Sequence, residues 1–93
     1  MITVSLDPRK WQATFERRGL DFADAPLVFG GITADMIDGR RDYGEERIVT
    51  IGTLRGRTVV IVWTQRDEAR HVISMRKANE REQNRFRQRL SEG

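Results

Sequence analysis

The alternation of apolar and polar residues predicts a series of short β-strands. Residues 1–6 (MITVSL) alternate as in a strand buried on one face, and residues 47–54 and 71–75 are apolar segments of strand length. Residues 58–64 (TVVIVWT) are apolar at successive positions, which predicts the central strand, buried on both faces. The Arg-Gly pair at 55–56 predicts a two-residue hairpin turn between two of these strands.

Three other segments have the features of helices. Asp7 followed by Pro8 predicts an N-cap and the start of a first helix over residues 8–18. Residues 21–29 predict a second helix, which the proline inside it shortens or distorts, and residues 78–90 predict a closing helix. We assign four aromatic residues to the core: Trp11, Phe15, Trp63 and Phe86.

The predicted elements define a fold class. Residues 32–45 are polar and rich in turn formers, which predicts a loop or a weak edge strand. The resulting order, β-α-α-β-β-β-α, is typical of an α+β fold with a small, mostly antiparallel sheet flanked by helices. Because 93 residues leave room for one core, we expect a single domain over residues 1–93.

The composition excludes several classes of site and of protein. The chain has no cysteine, so it can form neither a disulfide framework nor a thiolate metal site, and its single histidine does not suggest structural zinc. No apolar run reaches the length of a membrane span or of a signal-peptide core. We therefore expect a cytoplasmic protein.

The basic residues are almost all arginine. Of 17 basic side chains only Lys10 and Lys77 are lysine, and the formal net charge is +3. Arginine makes planar, bidentate contacts to phosphate and stacks on bases, so this bias suits a nucleic acid or an acidic protein partner. A genomic preference for arginine codons explains the composition equally well.

The closing helix places an acid within its apolar stripe. Positions four apart drift slowly around a helix, so Glu82 lies in line with Ala78, Phe86 and Leu90. A buried carboxylate needs a partner. An ion pair that orients an arginine, either within the helix or between sheet and helix, is the preferred interpretation over a catalytic acid or base. The adjoining stripe is basic, and it is either a solvated face or an RNA surface: Arg81, Arg85 and Arg89.

Several motifs, in order, carry a resemblance to a known family. The chain contains LDPRKWQAT, RRGLDFADA and VF near its start, EERIVTIGTLRGRTVVIVWTQR at 45–66, and HVISMRKANERE at 71–82. These stretches resemble motifs of the BrnT toxins of bacterial type II toxin-antitoxin pairs, over nearly the whole chain. Four positions depart from the usual residues of that family: Thr14, Arg18, Gln65 and His71.

The resemblance implies a fold, an activity and a partner. The fold would be RelE-like, and the activity would be RNA cleavage that stops translation. The partner would be a BrnA-like antitoxin with a ribbon-helix-helix DNA-binding part, which neutralises the toxin. Operator DNA would then be bound only through the complex of the two proteins.

RNA cleavage can proceed without a metal when a base, a cation and an acid are in place. Arg66 and Arg76 are the candidate phosphate clamps, because the family motifs include both positions; pairing with glutamates is the alternative. We consider three further catalytic candidates, Lys10, Glu46 and His71, each with a structural role as the commoner explanation. The candidate RNA-binding residues are Arg57, Arg70, Arg81 and Arg85, and Tyr43 in the loop is a candidate for base stacking.

Two other functions fit the sequence. The first is a non-catalytic basic module that binds an antitoxin or nucleic acid. The second is a plain RNA-binding domain, which predicts binding that weakens steeply with salt and leaves the RNA uncut. The small aromatic content, 8%, argues against a base-stacking platform.

Overall fold

The computed structural model describes residues 3–9, 12, 16, 19–38 and 46–92. It is an α+β structure built on a five-stranded mixed sheet of order β1-β5-β4-β3-β2. β1 runs parallel to β5, and the other three pairings are antiparallel. The strands are β1 Thr3–Leu6, β2 Ala34–Asp38, β3 Arg47–Leu54, β4 Arg57–Arg66 and β5 Ala69–Lys77.

Two helices with defined ends accompany the sheet. A 3-10 turn, Phe22–Asp24, leads into α1, Ala25–Phe29, which is short, as predicted; its proline falls within the first helical positions. The closing helix α2 spans Glu80–Glu92. Near the N-terminus, the Asp7 carboxylate accepts a hydrogen bond from the backbone N–H of Arg9 at 3.0 Å, as an N-cap does. Some predictions concern residues outside the described ranges: Lys10, Trp11, Thr14, Phe15, Arg18 and Tyr43.

The predicted hairpin and central strand are confirmed. β3 has the predicted bounds, β4 is the middle strand of the sheet, and the turn between them has positive φ at both Arg55 (50°) and Gly56 (80°). Positive φ at two successive residues is the type I′ geometry that matches the twist of a hairpin.

The predicted element order lacked one strand, β2. Residues 34–38 form an edge strand, so the edge-strand alternative for this polar segment is the correct one. Two consecutive hydrogen bonds connect β2 to the core. The Trp63 indole donates to Thr50 Oγ1 at 2.8 Å, and Thr50 Oγ1 donates to Asp35 Oδ1 at 2.7 Å. The stabilising contacts of β2 are therefore tertiary, and its own sequence gives only a weak signal.

The sheet has a helix on each face. We call the side that carries α1 the α1 face; it buries Trp63 and Val72 beneath Val28 and Phe29. The opposite side is the α2 face, where Phe86 of α2 packs on apolar residues of three strands: Ala34, Ile51 and Val60. Because side chains alternate along a strand, the register assigns each strand residue to one of these faces.

Gly52 lets α1 approach the sheet closely. A Cβ at this position would lie 2.7 Å from Val28 Cγ1 and 3.2 Å from Thr33 Cγ2. We expect Gly52→Ala to lower the free energy of unfolding by about 1–3 kcal/mol, the usual range for overpacking a filled core. Urea denaturation measures the loss. Gly31→Ala is the matched control, since its Cβ would meet an atom no closer than 3.7 Å; equal losses for both variants would contradict the packing argument.

Candidate active site

A polar cluster lies on the α2 face where β4 and β5 meet at their turn. His71 is opposite Thr64 on β4 and Ser5 on β1, and Arg66 is opposite Ala69. Arg66 and His71 are therefore diagonal neighbours on one face, with backbones about 7–8 Å apart. We call Ser5, Thr64, Arg66 and His71 the His71 cluster. Ser5 and His71 are half-buried and Arg66 is exposed, so the cluster reaches the surface.

A β-bulge in β5 determines which side chains share this face. Val62 pairs with Ser74 and Trp63 pairs with Val72, which leaves Ile73 as an extra residue in β5. The extra residue reverses the alternation, so His71 lies on the same face as Ser74 and Arg76. Without the bulge, these side chains would lie on opposite faces of the sheet.

Ser5 and His71 are joined by a hydrogen bond. Ser5 Oγ lies 2.8 Å from His71 Nδ1, in the part-buried zone between β1 and β5. Histidine is the one side chain whose ordinary pKa lies near neutrality, and a partner on one ring nitrogen determines the role of the other. The pair can therefore hold a proton-transfer group in a defined orientation.

Glu46 and Gln65 lie at the margin of the cluster. The Thr64 hydroxyl donates to the backbone carbonyl of Glu46 at 2.8 Å, while the Glu46 side chain is exposed. The Gln65 amide donates to the carbonyls of Asp67 and Ala69 at 3.0 and 3.1 Å, which stabilises the turn between β4 and β5. This departure from the family residue has a structural role in the turn.

Arg76 forms a bidentate ion pair with Glu82. Its Nη1 and Nη2 donate to Oε1 and Oε2, each at 2.6 Å, across the gap between β5 and α2. The hydrogen bonds from Arg76 hold the pKa of Glu82 below its ordinary value, and the same pairing raises the pKa of Arg76. The predicted ion pair of Glu82 with an arginine is confirmed, and of its two alternatives, within the helix or between sheet and helix, the second is correct.

Glu82 also caps α2. Its Oε1 accepts from the backbone N–H of Asn79 at 2.9 Å, and Asn79 Oδ1 accepts from the N–H of Glu82 at 2.8 Å. This reciprocal arrangement is a capping box, with asparagine as the N-cap. The sequence NERE at 79–82 contains that signal, and the helix begins at Glu80, two residues later than the predicted start at residue 78.

The two candidate phosphate clamps are far apart. Arg76 is opposite Val60, and Arg66 lies six residues further along β4. At about 3.4 Å per residue, their backbones are separated by about 20 Å. Arg66 belongs to the His71 cluster, whereas Arg76 lies beside the start of α2. The structure does not bring the two arginines together in one site.

The four arginines predicted to bind RNA lie on different surfaces. Arg70 is on the α1 face, with its guanidinium 4.6 Å from the ring centroid of Phe29 and 4.3 Å from that of Trp63. Arg57 lies at the turn between β3 and β4, and it lines a groove with Lys77 and Gln83. The other two line a shallow groove on α2: Arg81 and Arg85.

Ser5 was missed as a candidate. Its sequence context is that of a polar residue in an alternating strand, which carries no sign of a functional contact. Its significance depends on the pairing of β1 with β5, between residues 66 positions apart. We know of no signal in a single sequence that could have found it.

Neither a metal cluster nor a spanning helix is found within the described ranges. These residues contain no group of three or more histidine, aspartate or glutamate side chains arranged to hold a metal ion. Their helices are also too short and too polar to cross a membrane.

Comparison with known proteins identifies the chain. Residues 6–82 match a family of ribonuclease toxins from type II toxin-antitoxin systems. The chain belongs to that family, BrnT, and the match runs from the end of β1 to the first turn of α2. A comparison with curated proteins gave no match. The family assignment implies an RNA substrate and an antitoxin partner.

Proposed function

We propose that this toxin is a metal-independent endoribonuclease that cleaves RNA and thereby inhibits translation in the cytoplasm. The whole chain, 1–93, acts as a single RelE-like domain. Its partner is a BrnA-like antitoxin with a ribbon-helix-helix DNA-binding part. The ribonuclease class comes from the family, and the mechanism and the partner are proposals.

The observation that carries the proposal is the His71 cluster. A permanent cation, Arg66, and the only histidine of the chain are diagonal neighbours on one sheet face. Cleavage of RNA without a metal needs a proton-transfer group beside a cation that stabilises the charge developing on phosphate. In this proposal the two side chains supply both functions, and their backbones are about 7–8 Å apart.

The chemistry follows the usual route for such sites. His71 takes the proton of the 2′-hydroxyl, and the 2′-oxygen forms a bond to phosphorus. The bond between phosphorus and the 5′-oxygen breaks, and the leaving oxygen takes a proton. The products are a 2′,3′-cyclic phosphate and a free 5′-hydroxyl. Arg66 stabilises the negative charge that accumulates on the phosphoryl oxygens between these events.

Two further candidates have supporting roles in this proposal. Lys10 remains the candidate acid for the leaving oxygen, although it lies outside the described residues. Glu46 is placed at the margin of the cluster, and its exposed carboxylate is the alternative base. An inactive Glu46→Gln variant beside an active His71→Gln variant would assign the base to Glu46.

Arg76 and three other arginines bind the RNA at a distance from the reacting phosphate in this proposal. An extended strand that starts at the His71 cluster and follows the α2 face reaches Arg76 after about 20 Å, several nucleotides away. Arg57 lies at the same end of the sheet as Arg76. Arg81 and Arg85 lie on α2. Arg70 lies off this path, because it contacts rings on the other face.

The antitoxin is proposed to cover the basic surface with an acidic or amphipathic segment. Four arginines of α2 are exposed, and their charge favours such a partner: Arg81, Arg85, Arg87 and Arg89. Operator DNA is then bound through the ribbon-helix-helix part of the complex.

The test is cleavage of RNA by the purified chain in excess EDTA. We expect cut RNA with cyclic phosphate ends, and arrested growth when the chain is expressed without an antitoxin. Loss of cleavage in EDTA, restored by a divalent cation, would contradict the metal-free route. Salt-sensitive RNA binding without products, or capture of an acidic protein without RNA damage, would favour the non-catalytic alternative.

A further inference from the structure

We propose that Ser5 is a positioning residue for His71. Its hydroxyl oxygen accepts a hydrogen bond from Nδ1–H and so keeps the neutral ring in the tautomer whose lone pair is on Nε2. The inference rests on the proposed ribonuclease function and adds a residue from β1 to that site.

The geometry around the contact is well suited to positioning. The register of the parallel ladder pairs Ser5 directly with His71, and Ser5 Oγ lies 2.8 Å from Nδ1. Both residues lie inside strands and are half-buried, so their backbones are held by the sheet. A short side chain on a strand loses little freedom in forming this contact, which makes serine an effective support for the ring.

The direction of the hydrogen bond decides what the ring can do. When Nδ1–H donates to Ser5, the neutral ring has its lone pair on Nε2 and can take a proton from the 2′-hydroxyl. The imidazolium that forms keeps Nδ1–H on Ser5 and can return the proton from Nε2. When the serine donates to Nδ1 instead, Nε2 carries the proton and the neutral ring is no base at that position.

The register places Arg66 and Ser5 on opposite flanks of His71. His71 is diagonal to Arg66 across β5 and β4, on the α2 face. A phosphate bound to Arg66 is therefore beside the imidazole. Ser5 lies on the other flank, on β1, where it can hold the ring without contacting the phosphate.

The tautomer can be measured directly, because the chain contains one histidine. Uniformly ¹⁵N-labelled full-length protein gives a single pair of ring nitrogens in long-range ¹⁵N–¹H spectra, recorded at a pH where the ring is neutral. We expect a protonated Nδ1 and an unprotonated Nε2. A protonated Nε2 with a bare Nδ1 would overturn the assignment of Ser5 while leaving RNA cleavage itself to be judged separately.

Substitution supplies the second test. We expect Ser5→Ala to lower the cleavage rate about 10- to 100-fold, the range found for partners that orient metal-bound histidines. Its ring spectra should show a mixture of tautomers, an effect that general loosening of the sheet would not produce. Ser5→Thr keeps the hydroxyl and suits a strand, so it should retain both the tautomer and most of the activity.

Ser74→Ala is the matched control, because Ser74 is a half-buried serine on the same face of β5. It should leave the tautomer and the rate unchanged. Equal rates for Ser5→Ala and wild type would refute the positioning role, as would inactivity of the folded Ser5→Thr variant. A folded wild-type chain that leaves RNA intact would overturn the proposed function, and the inference with it, even if the ring showed the expected tautomer.

Discussion

Arg66→Ala is expected to lower the rate of RNA cleavage by about 10²–10³-fold, the usual cost of removing one transition-state donor. The reason is that Arg66 neighbours His71 on the α2 face, at a diagonal position of the β4–β5 ladder. No neutral side chain can replace its charge at the developing phosphorane. Single-turnover cleavage of a labelled RNA measures the chemical step apart from product release.

The variant should fold normally. Arg66 is exposed at the last position of β4, so its truncation leaves no cavity in the core. Arg66→Lys should recover part of the rate, since it restores the charge but not the bidentate geometry. This gradation distinguishes a transition-state contact from a structural one.

Arg87→Ala is the control for net charge. Arg87 is also exposed, and its Nη1 donates to Asn84 at 2.6 Å on α2, away from the His71 cluster. Arg87→Ala removes one positive charge, as Arg66→Ala does. Its effect should be limited to modest, salt-dependent weakening of RNA binding. Similar losses for Arg66→Ala and Arg87→Ala would mean that arginines act only through overall charge, and the assigned site would be wrong.

Glu82→Ala is expected to lower the free energy of unfolding by about 2–3 kcal/mol. The carboxylate accepts two hydrogen bonds from Arg76 and one from the Asn79 backbone, so one substitution removes a charged pair and a helix cap. Hydrogen bonds to charged groups contribute about 1.5–3 kcal/mol and a cap about 1 kcal/mol, and partial solvation of Arg76 reduces their sum.

The effect of Glu82 depends on pH in a definite direction. Its pKa is lowered in the folded state, mainly by the hydrogen bonds from Arg76, from an ordinary value of 4.5. Glu82 therefore contributes to the free energy of unfolding above that value. This contribution is lost as the pH falls below it and through the lower pKa of the folded state. Urea denaturation of wild type and Glu82→Gln at neutral and acidic pH measures the change.

Glu80→Ala is the control, since Glu80 is an exposed acid in the same first turn of α2. Glu80→Ala should lower the free energy of unfolding by only a small fraction of the amount that Glu82→Ala does. A stability difference between Glu82→Gln and wild type that stays constant from neutral to acidic pH would contradict the ionic contribution of Glu82.

The parts of the fold that were predicted are those governed by local patterns. The continuous apolar run of β4 and the Arg-Gly turn before it each depend on residues that are adjacent in sequence. Both can therefore be predicted from the sequence alone. The partner of Glu82 was anticipated because an acid in an apolar stripe needs a counterion. β2 was predicted only as the edge-strand alternative to a loop, because the hydrogen bond that holds Asp35 comes from another strand.

The candidate site was harder to predict than the fold. Arg66 and His71 were both selected from the sequence, but their proximity follows from the register of the β4–β5 hairpin. Simple alternation along β5 places His71 and Arg76 on opposite faces, and the bulge at Ile73 reverses that result. Ser5 joins the cluster through a pairing between distant parts of the chain, which a single sequence does not reveal.

The parallel pairing of β1 with β5 has a consequence for how the molecule is made. A ribosome synthesises residues 3–6 early, but their partner strand at 69–77 only after most of the chain is complete. Contacts of such long range form late, because the entropy of closing the intervening loop must be overcome first. The Ser5–His71 contact therefore cannot exist in a nascent chain that lacks β5, and prematurely terminated products never acquire it.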